Sequence, residues 1–511
     1  MSATAASAIS GGVPLNRGMI TVAIMLATVM QVVDTTIVNV ALPHIQGGLS
    51  AAQDQIAWVL TSYIVATAIM TPLTGVLADR VGRKRLFASG VVGFTLASML
   101  CGAATSLDQL VLFRTLQGVC GACLVPLSQA VLLDTYPREK HGQAMALWGM
   151  GVMVGPILGP TLGGYLTEYY SWRWAFYINL PVGILALLGI VAFVPEVTVA
   201  QKKGFDFFGF ALLAIAIGSL QLVLDRGTTL DWFDSTEIAI EAAAAALAAY
   251  LFLVHMFTAD KPFIEPGLFA DRNFVAGLLV MLTVGMMLLS TMALLPPFLQ
   301  NLLGFPVITT GYVLAPRGFG TMAAMMIVGR VVGKVDTRLL VLTGLVLMTW
   351  SLHEMTGFTA DVSTSLIVST GIVQGVGLGF VFVPLSTMAF ATLAPRYRNE
   401  GTAMFSLVRN IGGSIGVSLV MTLLGREIQT NHALLSESIT PFRAALQQAG
   451  LPSVWNLSTE TGLAALNAAV SRQAVTIAYI NDFRYMMYLC ILAAPLLLLL
   501  RRPAAPATRT T

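Results

Sequence analysis

Charge is what this sequence has least of. Only 10% of its 511 residues are Asp, Glu, Lys or Arg, whereas a water-soluble domain carries roughly 25%. So thin a supply excludes an ordinary solvated surface. Cysteine is equally scarce. Cys101, Cys120, Cys123 and Cys490 are the four present, and all lie in apolar runs, which argues against a disulfide framework. Cys120 and Cys123 form a CxxC, but no second pair and no nearby histidine completes a zinc or redox site. The five histidines, His44, His141, His255, His353 and His432, keep no metal-ligand spacing. Neither a metal nor an organic cofactor is expected, and no constellation of an enzyme is found. A complete Walker A loop is missing too. Residues 329–334 come nearest, without the required spacing or the following Ser or Thr, which argues against an ATP-driven pump. Strict period-two alternation is lacking, which excludes a membrane β-barrel. Without a basic segment leading into a short apolar core, no removable signal peptide is expected.

What is present is apolar length. Hydrophobic residues make up 56% of the chain, and a spanning helix needs about 20 of them in a row. Such runs recur about fourteen times: 19–42, 54–78, 86–105, 108–133, 143–166, 173–194, 208–225, 236–258, 273–301, 308–329, 338–357, 363–393, 401–425 and 481–500. The connections sort by charge. Arg80, Arg83, Lys84, Arg85, Arg138, Lys140, Lys202, Lys203, Lys261, Arg272, Arg330, Lys334, Arg338, Arg396 and Arg398 fall on one side, with Arg17, Arg501, Arg502 and Arg509. The opposite short connections, 43–53, 105–108, 301–308 and 357–363, hold no Lys or Arg. The positive-inside rule makes the rich side cytoplasmic. Both termini then lie in the cytoplasm, which demands an even number of spans. Residues 426–480 read as a long polar outer loop, with helix-like patterning at Phe442, Leu446 and Leu451 and at Leu463, Leu466 and Val470, and a sequon at Asn456, Leu457 and Ser458. A loop of that length is either a docking element or a surface hairpin.

The chain also repeats itself. Val125-Pro126-Leu127-Ser128 returns as Val383-Pro384-Leu385-Ser386, Pro137-Arg138 as Pro395-Arg396, and Gln117-Gly118 as Gln374-Gly375. Matched runs point the same way through the membrane, so the repeat predicts two bundles of like orientation with substrate between them. The expected division is 1–200 for the first six-helix bundle, 201–262 for an inserted two-helix hairpin, and 263–511 for the second bundle.

Few polar residues interrupt the runs, and each invites a role. Asp34, in the first run, is a carboxylate that lipid would penalise, so it should face a cavity or a partner. Arg114 falls at similar depth in the fourth run, and the pair could join and part as Asp34 loses and gains a proton. Gln31 and Asn39 lie near Asp34. Gln117, Gln374, Arg317 and Arg409 are further polar groups for a substrate cleft; the two arginines either balance an anionic substrate or tie helices together. His353 and Glu354 sit near an outer helix end, a weaker place for a second titrating acid. Gly75, Asp79, Arg80, Gly82 and Arg83 mark a tight basic turn, with Asp79 able to face a helix N-terminus. Gly155, Pro156, Gly159, Pro160, Gly163 and Gly164 predict a bent, closely packed helix.

These motifs together resemble the major facilitator superfamily. Residues 75–85 resemble its cytoplasmic-turn motif. Arg114, Gln117, Gly118 and Gly121 resemble its fourth-helix motif, and the Gly-Pro series of residues 155–164 its antiporter motif. Residues 34–43, DTTIVNVALP, with 409–416, RNIGGSIG, resemble the fourteen-helix drug:proton antiporters of the EmrB type. That resemblance implies an inner-membrane, proton-driven exporter of small hydrophobic toxic compounds, with Asp34 and Arg114 in proton coupling. It also implies an EmrA-like periplasmic adaptor and an outer-membrane channel as partners, and no nucleic acid. Export of fatty acids or an endogenous metabolite, or a non-transporting sensor of the same fold, are the alternatives. The second-half turn departs from the motif, with Gly333 where Asp79 would stand.

Overall fold

A computed structural model describes residues 16–52, 55–196, 205–440, 455 and 459–500. Outside the described residues lie Lys202, Lys203, Arg501, Arg502 and Arg509 of the basic set, Phe442, Leu446 and Leu451, and the sequon residues Asn456, Leu457 and Ser458. The described residues are helical apart from turns and one isolated bridge between Val332 and Val335.

In the first half, α1 (Arg17–Leu49) starts on Asn16, whose side chain accepts the Met19 N–H. Two short helices follow, α2 (Trp58–Met70) and α3 (Leu73–Val81), bent by 57° across their break. Pro72 sits at that break and has no N–H to continue the ladder. Then come α4 (Arg83–Ala103), α5 (Leu107–Gly121), α6 (Leu124–Thr135), α7 (His141–Tyr169) and α8 (Asn179–Phe193). The hairpin is α9 (Phe207–Arg226) and α10 (Thr236–Thr258). The second half holds α11 (Arg272–Pro297), α12 (Val307–Val331), α13 (Thr337–Met355), α14 (Thr364–Ala391), α15 (Arg398–Glu437) and α16 (Glu460–Ala493).

Among the described residues, eleven helices are long and apolar enough to cross a bilayer, or twelve with the bent pair counted as one span. The sequence expectation of about fourteen is therefore met only in part. α12 and α13 fall short because Arg317 and Arg330, and then Arg338, His353 and Glu354, dilute their apolar runs. The segment 426–480, expected as a loop, is helical at both ends, since α15 runs to Glu437 and α16 begins at Glu460. Glu427 joins these extensions: it accepts from Asn431 (3.1 Å), Asn481 (2.9 Å) and Tyr485 (3.2 Å). Leu466, Val470 and Ala474 give α16 a buried face there.

Small residues set how the bundles close. α7 lies on α1 through Gly155, Gly159 and Gly163, whose Cβ positions are filled by Val32, Thr36 and Ile37. α15 lies on α11 in the same way, through Gly412, Gly413 and Gly416 against Leu282, Leu289 and Met286. α5 and α14 repeat the pattern: Gly118 abuts the Tyr63 carbonyl and Gly375 the Arg317 carbonyl. The halves meet along α7 and α12, from Gly142 beside Val332 to Gly164 beside Val307. The hairpin bridges both halves, because Thr61 of α2 bonds Asp225 while Gln221 donates to Ser414 of α15 at 2.7 Å.

Candidate functional site

Asp34 lies in the interior of the first bundle with no exposed surface. Three donors surround its carboxylate. Arg114 Nη1 donates to Oδ2 at 2.8 Å, while Gln117 Nε2 and Asn179 Nδ2 donate to Oδ1 at 2.9 and 2.7 Å. Arg114 and Gln117 are three residues apart, hence on one face of α5. Gly118 brings that face close to α2, since a Cβ there would stand 2.6 Å from the Tyr63 carbonyl oxygen.

Arg114 is equally enclosed. Besides Asp34 it donates to Gln117 Oε1 at 2.6 Å and the Val59 carbonyl at 3.2 Å. The Tyr63 ring centroid lies 4.2 Å from its Cζ, a cation–π contact. Asn179 also donates to Ser98 Oγ (2.9 Å), and Ser98 donates to the Phe176 carbonyl (2.9 Å). A buried charge is tolerated when it is paired and its remaining hydrogen-bonding capacity is largely used. This network meets that condition for Asp34, though Arg114 Nη2 has no hydrogen-bond partner among the described residues. Thr36, two residues on from Asp34, donates to the Gly155 carbonyl at 3.1 Å and pins α7 to α1.

A second cluster joins the halves at the end that carries the basic connections. Asn399 Nδ2 donates to Asp79 Oδ1 at 2.6 Å. Asp134 holds both Arg83 of the first half and Arg398 of the second. A Cβ on Gly75 would stand 3.0 Å from Glu400 Cα, a contact tight enough that the neighbouring backbone would have to give. Gly82 takes a φ of 94° between α3 and α4, a conformation costly for other residues, and Arg80 stacks over Phe205 at 5.3 Å.

The structure corrects the reading of the second-half turn. Gly329 packs on Gly142 as Gly75 packs on Glu400, while Gly333 has Gly82's φ of 94°. Seven positions separate packing glycine from turn glycine in the first half, four in the second. The second turn is about one helical turn shorter. Gly333 matches Gly82 rather than Asp79, and no acid stands between Gly329 and Gly333.

Other predicted positions scatter. Gln117 is a partner of Asp34, and Gln31 is buried and donates to Tyr63 Oη at 3.4 Å. Asn39 is exposed on α1. Gln374 donates to Thr291 at 3.3 Å, where its repeat mate Gln117 meets an acid. Arg317 and Arg409 are half-buried. Pro156 and Pro160 lie within α7, and Gly164 faces Val307. His353 and Glu354 are exposed, with Glu354 accepting from Trp350 at 3.1 Å. The four cysteines are free, and Cys120 and Cys123 fill the space left by Gly93 and Gly90. Among the described residues no group of His, Cys, Asp or Glu could hold a metal ion.

Asn179, Ser98 and Tyr63 escaped the sequence reading. Their one signal is polarity within apolar runs, and they belong to three different helices. Asp482 escaped because it falls at the start of the expected last span. It is fully buried in α16, and neither carboxylate oxygen has a hydrogen-bond partner among the described residues.

Comparison with known proteins agrees with this geometry. Residues 24–417 match the Major Facilitator Superfamily. The multidrug export protein EmrB of Escherichia coli K12 is 38% identical over 432 residues, covering 84% of each chain. The fatty acid resistance protein FarB of Neisseria gonorrhoeae is 36% identical, covering 95% of this chain and 96% of its own. The solved structure of the proton:xylose symporter XylE has the same fold, with a TM-score of 0.59 at 13% identity over 94% of each chain. On a family match that spans most of its length, supported by these relatives, the chain belongs to the major facilitator superfamily.

Proposed function

We propose that this protein is a proton-driven exporter of small hydrophobic compounds, working by alternating access between its two bundles. The observation that carries the reading is the Asp34 site: one enclosed acid, held by Arg114, Gln117 and Asn179, in a bundle that meets its mate through a breakable polar cluster. Fourteen spans follow if α12 and α13 cross beside the twelve apolar ones, since both pack within the second bundle. They divide as six, two and six. The basic end is then cytoplasmic, as are both termini, in the inner membrane.

In this arrangement the cytoplasmic ends are latched by Asp79–Asn399 and by Asp134 between Arg83 and Arg398. A proton reaching Asp34 from outside removes the negative charge and strands Arg114. A stranded buried cation favours a rearrangement that hydrates it, and α1 moves with α7 because glycine contacts lock them together. Release of the proton to the cytoplasm restores the pair. The energy comes from the proton gradient, and no cofactor takes part.

The relatives' names suggest drugs or fatty acids as cargo. An adaptor of the EmrA kind and an outer-membrane channel would complete the path, with the outer extensions of α15 and α16 as the place for adaptor contact. The test is substrate-dependent proton release in everted vesicles. Addition of a hydrophobic cargo should dissipate a preformed pH gradient with the wild-type protein and not with Asp34→Asn. Equal dissipation by both would overturn the assignment of Asp34.

A further inference from the structure

We propose that Asp482 is a proton-binding site of its own, at the outer end of the second bundle. Its neutral form seals the outer ends of α15 and α16 together, and its ionised form lets them part. The ligand is a proton from the outer solution, so closure of this end depends on outer pH. Only the choice of outer side is taken from the exporter reading.

Polar groups at this end are shared out unequally. Glu427 is half-buried and takes three donors, Asn431 at 3.1 Å, Asn481 at 2.9 Å and Tyr485 at 3.2 Å. Two of those donors belong to α16 and flank Asp482 in the chain. Both turn to Glu427. Asp482 has no exposed surface and receives no hydrogen bond from any described residue. Asp34, equally enclosed, is held by Arg114, Gln117 and Asn179.

The remaining surroundings of Asp482 are apolar. Tyr479 and Met486, one turn to either side, share its face of α16, and both are buried. Phe298, just past α11, lies edge-on to Tyr479 and Phe483 with centroids 5.2 and 6.2 Å away, and Phe358 meets Phe483 at 6.1 Å. Those three phenylalanines have no exposed surface. No cation offsets the acid. Among the described residues Glu427 is the one charge that acts on Asp482, and it has the same sign. Arg484 on α16, Arg426 on α15, and His353 and Glu354 on α13 are all exposed. An ionised carboxylate without a cation or a donor is too costly in such a place, and the group takes a proton instead. This arrangement therefore holds Asp482 as a neutral acid.

Depth sets where the proton comes from. From Asp482 the chain runs through α16 and a short 3₁₀ helix to Leu500, whose carbonyl accepts from Arg338 at the basic end. That path is roughly 30 Å at helical rises, about the thickness of the hydrocarbon core. Asp482 thus lies at the outer boundary and meets outer water once the two helices separate. The sealed form binds a proton that the parted form releases, so acid outside favours the seal and alkali opens it.

The test reads proton and seal separately, in the purified full-length protein in zwitterionic nanodiscs. Infrared spectra of wild type and Asp482→Asn are compared at pH 7 in the carbonyl region of protonated carboxyls. An aspartate at its ordinary value, about 3.9, is almost wholly ionised there. A carboxylic-acid band present in the wild type and missing from the variant therefore reports the proton on Asp482. Glu427→Gln should make that band vanish at lower pH, because the like charge is gone. Hydrogen exchange in 428–437 and 460–481, divided by the intrinsic chemical rate at each pH, reports the seal. In the wild type it should rise by up to about tenfold per pH unit above pH 5 while the band persists, as one proton released on opening requires. In Asp482→Leu it should stay slow and ignore pH. Identical infrared spectra of wild type and Asp482→Asn would overturn the proposal. Corrected exchange that ignores pH in the wild type, or follows it equally in Asp482→Leu, would overturn it by separating the proton from the seal. Failure of Asp482→Leu to fold would also overturn it, because an acid held neutral among apolar groups has no bond for leucine to break.

Discussion

The Asp34–Arg114 pair can be tested by a double-mutant cycle that separates folding from coupling. Both side chains have no exposed surface, and their charged atoms are 2.8 Å apart. Removing one partner of a buried pair leaves the other uncompensated, at a cost of about 3–5 kcal/mol. Asp34→Asn keeps the shape and one acceptor oxygen for its neighbours, so its cost should fall near the lower bound, about 3 kcal/mol. Arg114→Gln leaves Asp34 with Gln117 and Asn179 as donors and should cost a similar amount. The double variant has no stranded charge. Its remaining loss is one or two hydrogen bonds, each about 1 kcal/mol, so the coupling energy, the sum of the singles less the double, should be about 4 kcal/mol. Thermal unfolding of the purified protein in one detergent gives the ranking: both single variants lowered, the double raised back toward wild type. Proton-driven efflux should fail in every variant that lacks the Asp34 carboxylate, the re-stabilised double included. A double variant whose destabilisation equals the sum of the singles would refute the pairing argument. Efflux by Asp34→Asn that still collapses with the pH gradient would refute the coupling argument.

Other consequences are more local. Gly159→Val should abolish accumulation of folded protein, because its first side-chain carbon meets Thr36, whereas Gly164→Ala should be tolerated with only Val307 at 3.8 Å; size-exclusion profiles of the two would decide. Asp134→Asn should loosen the link between Arg83 and Arg398 and raise maleimide labelling of a cysteine placed at Gly142, which faces Val332 across the halves; unchanged labelling would count against the latch. Asp206, at the start of the hairpin, is pushed up by burial but held lower overall by the Gly209 N–H, by His255 and by the Phe263 N–H. A carboxyl depressed in the folded state stabilises it above the unfolded value, about pH 3.9, and that contribution is lost as pH falls through the lowered value. Asp206→Asn should therefore flatten the acid limb of hairpin unfolding, measured by hydrogen exchange on α9 and α10.

Residues whose role depends on local pattern were legible in the sequence. Asp34 and Arg114 stood out because each is a charge in an apolar run, and the glycine series on α7 read as close packing, which the contacts with Val32, Thr36 and Ile37 match. What failed depended on length or on partners far along the chain. The outer ends of α15 and α16 look polar enough for a loop, yet Glu427 ties them through Asn481 and Tyr485, 54 and 58 residues away. Asn179 is 145 residues from Asp34, and nothing around residue 179 announces that contact. The shortened second-half turn was misaligned because spacing alone cannot pair the turn glycines of the two halves. The shared φ of Gly82 and Gly333 does so.

Cargo charge also bears on the energetics of the proposed exchange. If one proton enters for each monoanion that leaves, each cycle moves the equivalent of two positive charges inward. A potential of 100 mV, negative inside, is worth about 2.3 kcal/mol per charge, so anion export would gain about 4.6 kcal/mol, a gradient of roughly 2,000-fold. The same cycle with a neutral cargo gains half of that, about 50-fold, and with a monovalent cation nothing. Proteoliposomes with the protein in its cellular orientation, clamped by potassium and valinomycin at zero pH difference, measure this directly. Decanoate export should steepen with potential about twice as strongly as decanamide export, and decyltrimethylammonium export should not respond. Cargo charge therefore has a thermodynamic signature independent of affinity, because charge moved per turnover depends on the cargo and not on how tightly it is held. Decanoate export indifferent to potential would require a second compensating charge in the cycle, and the single-acid scheme built on Asp34 would then be wrong.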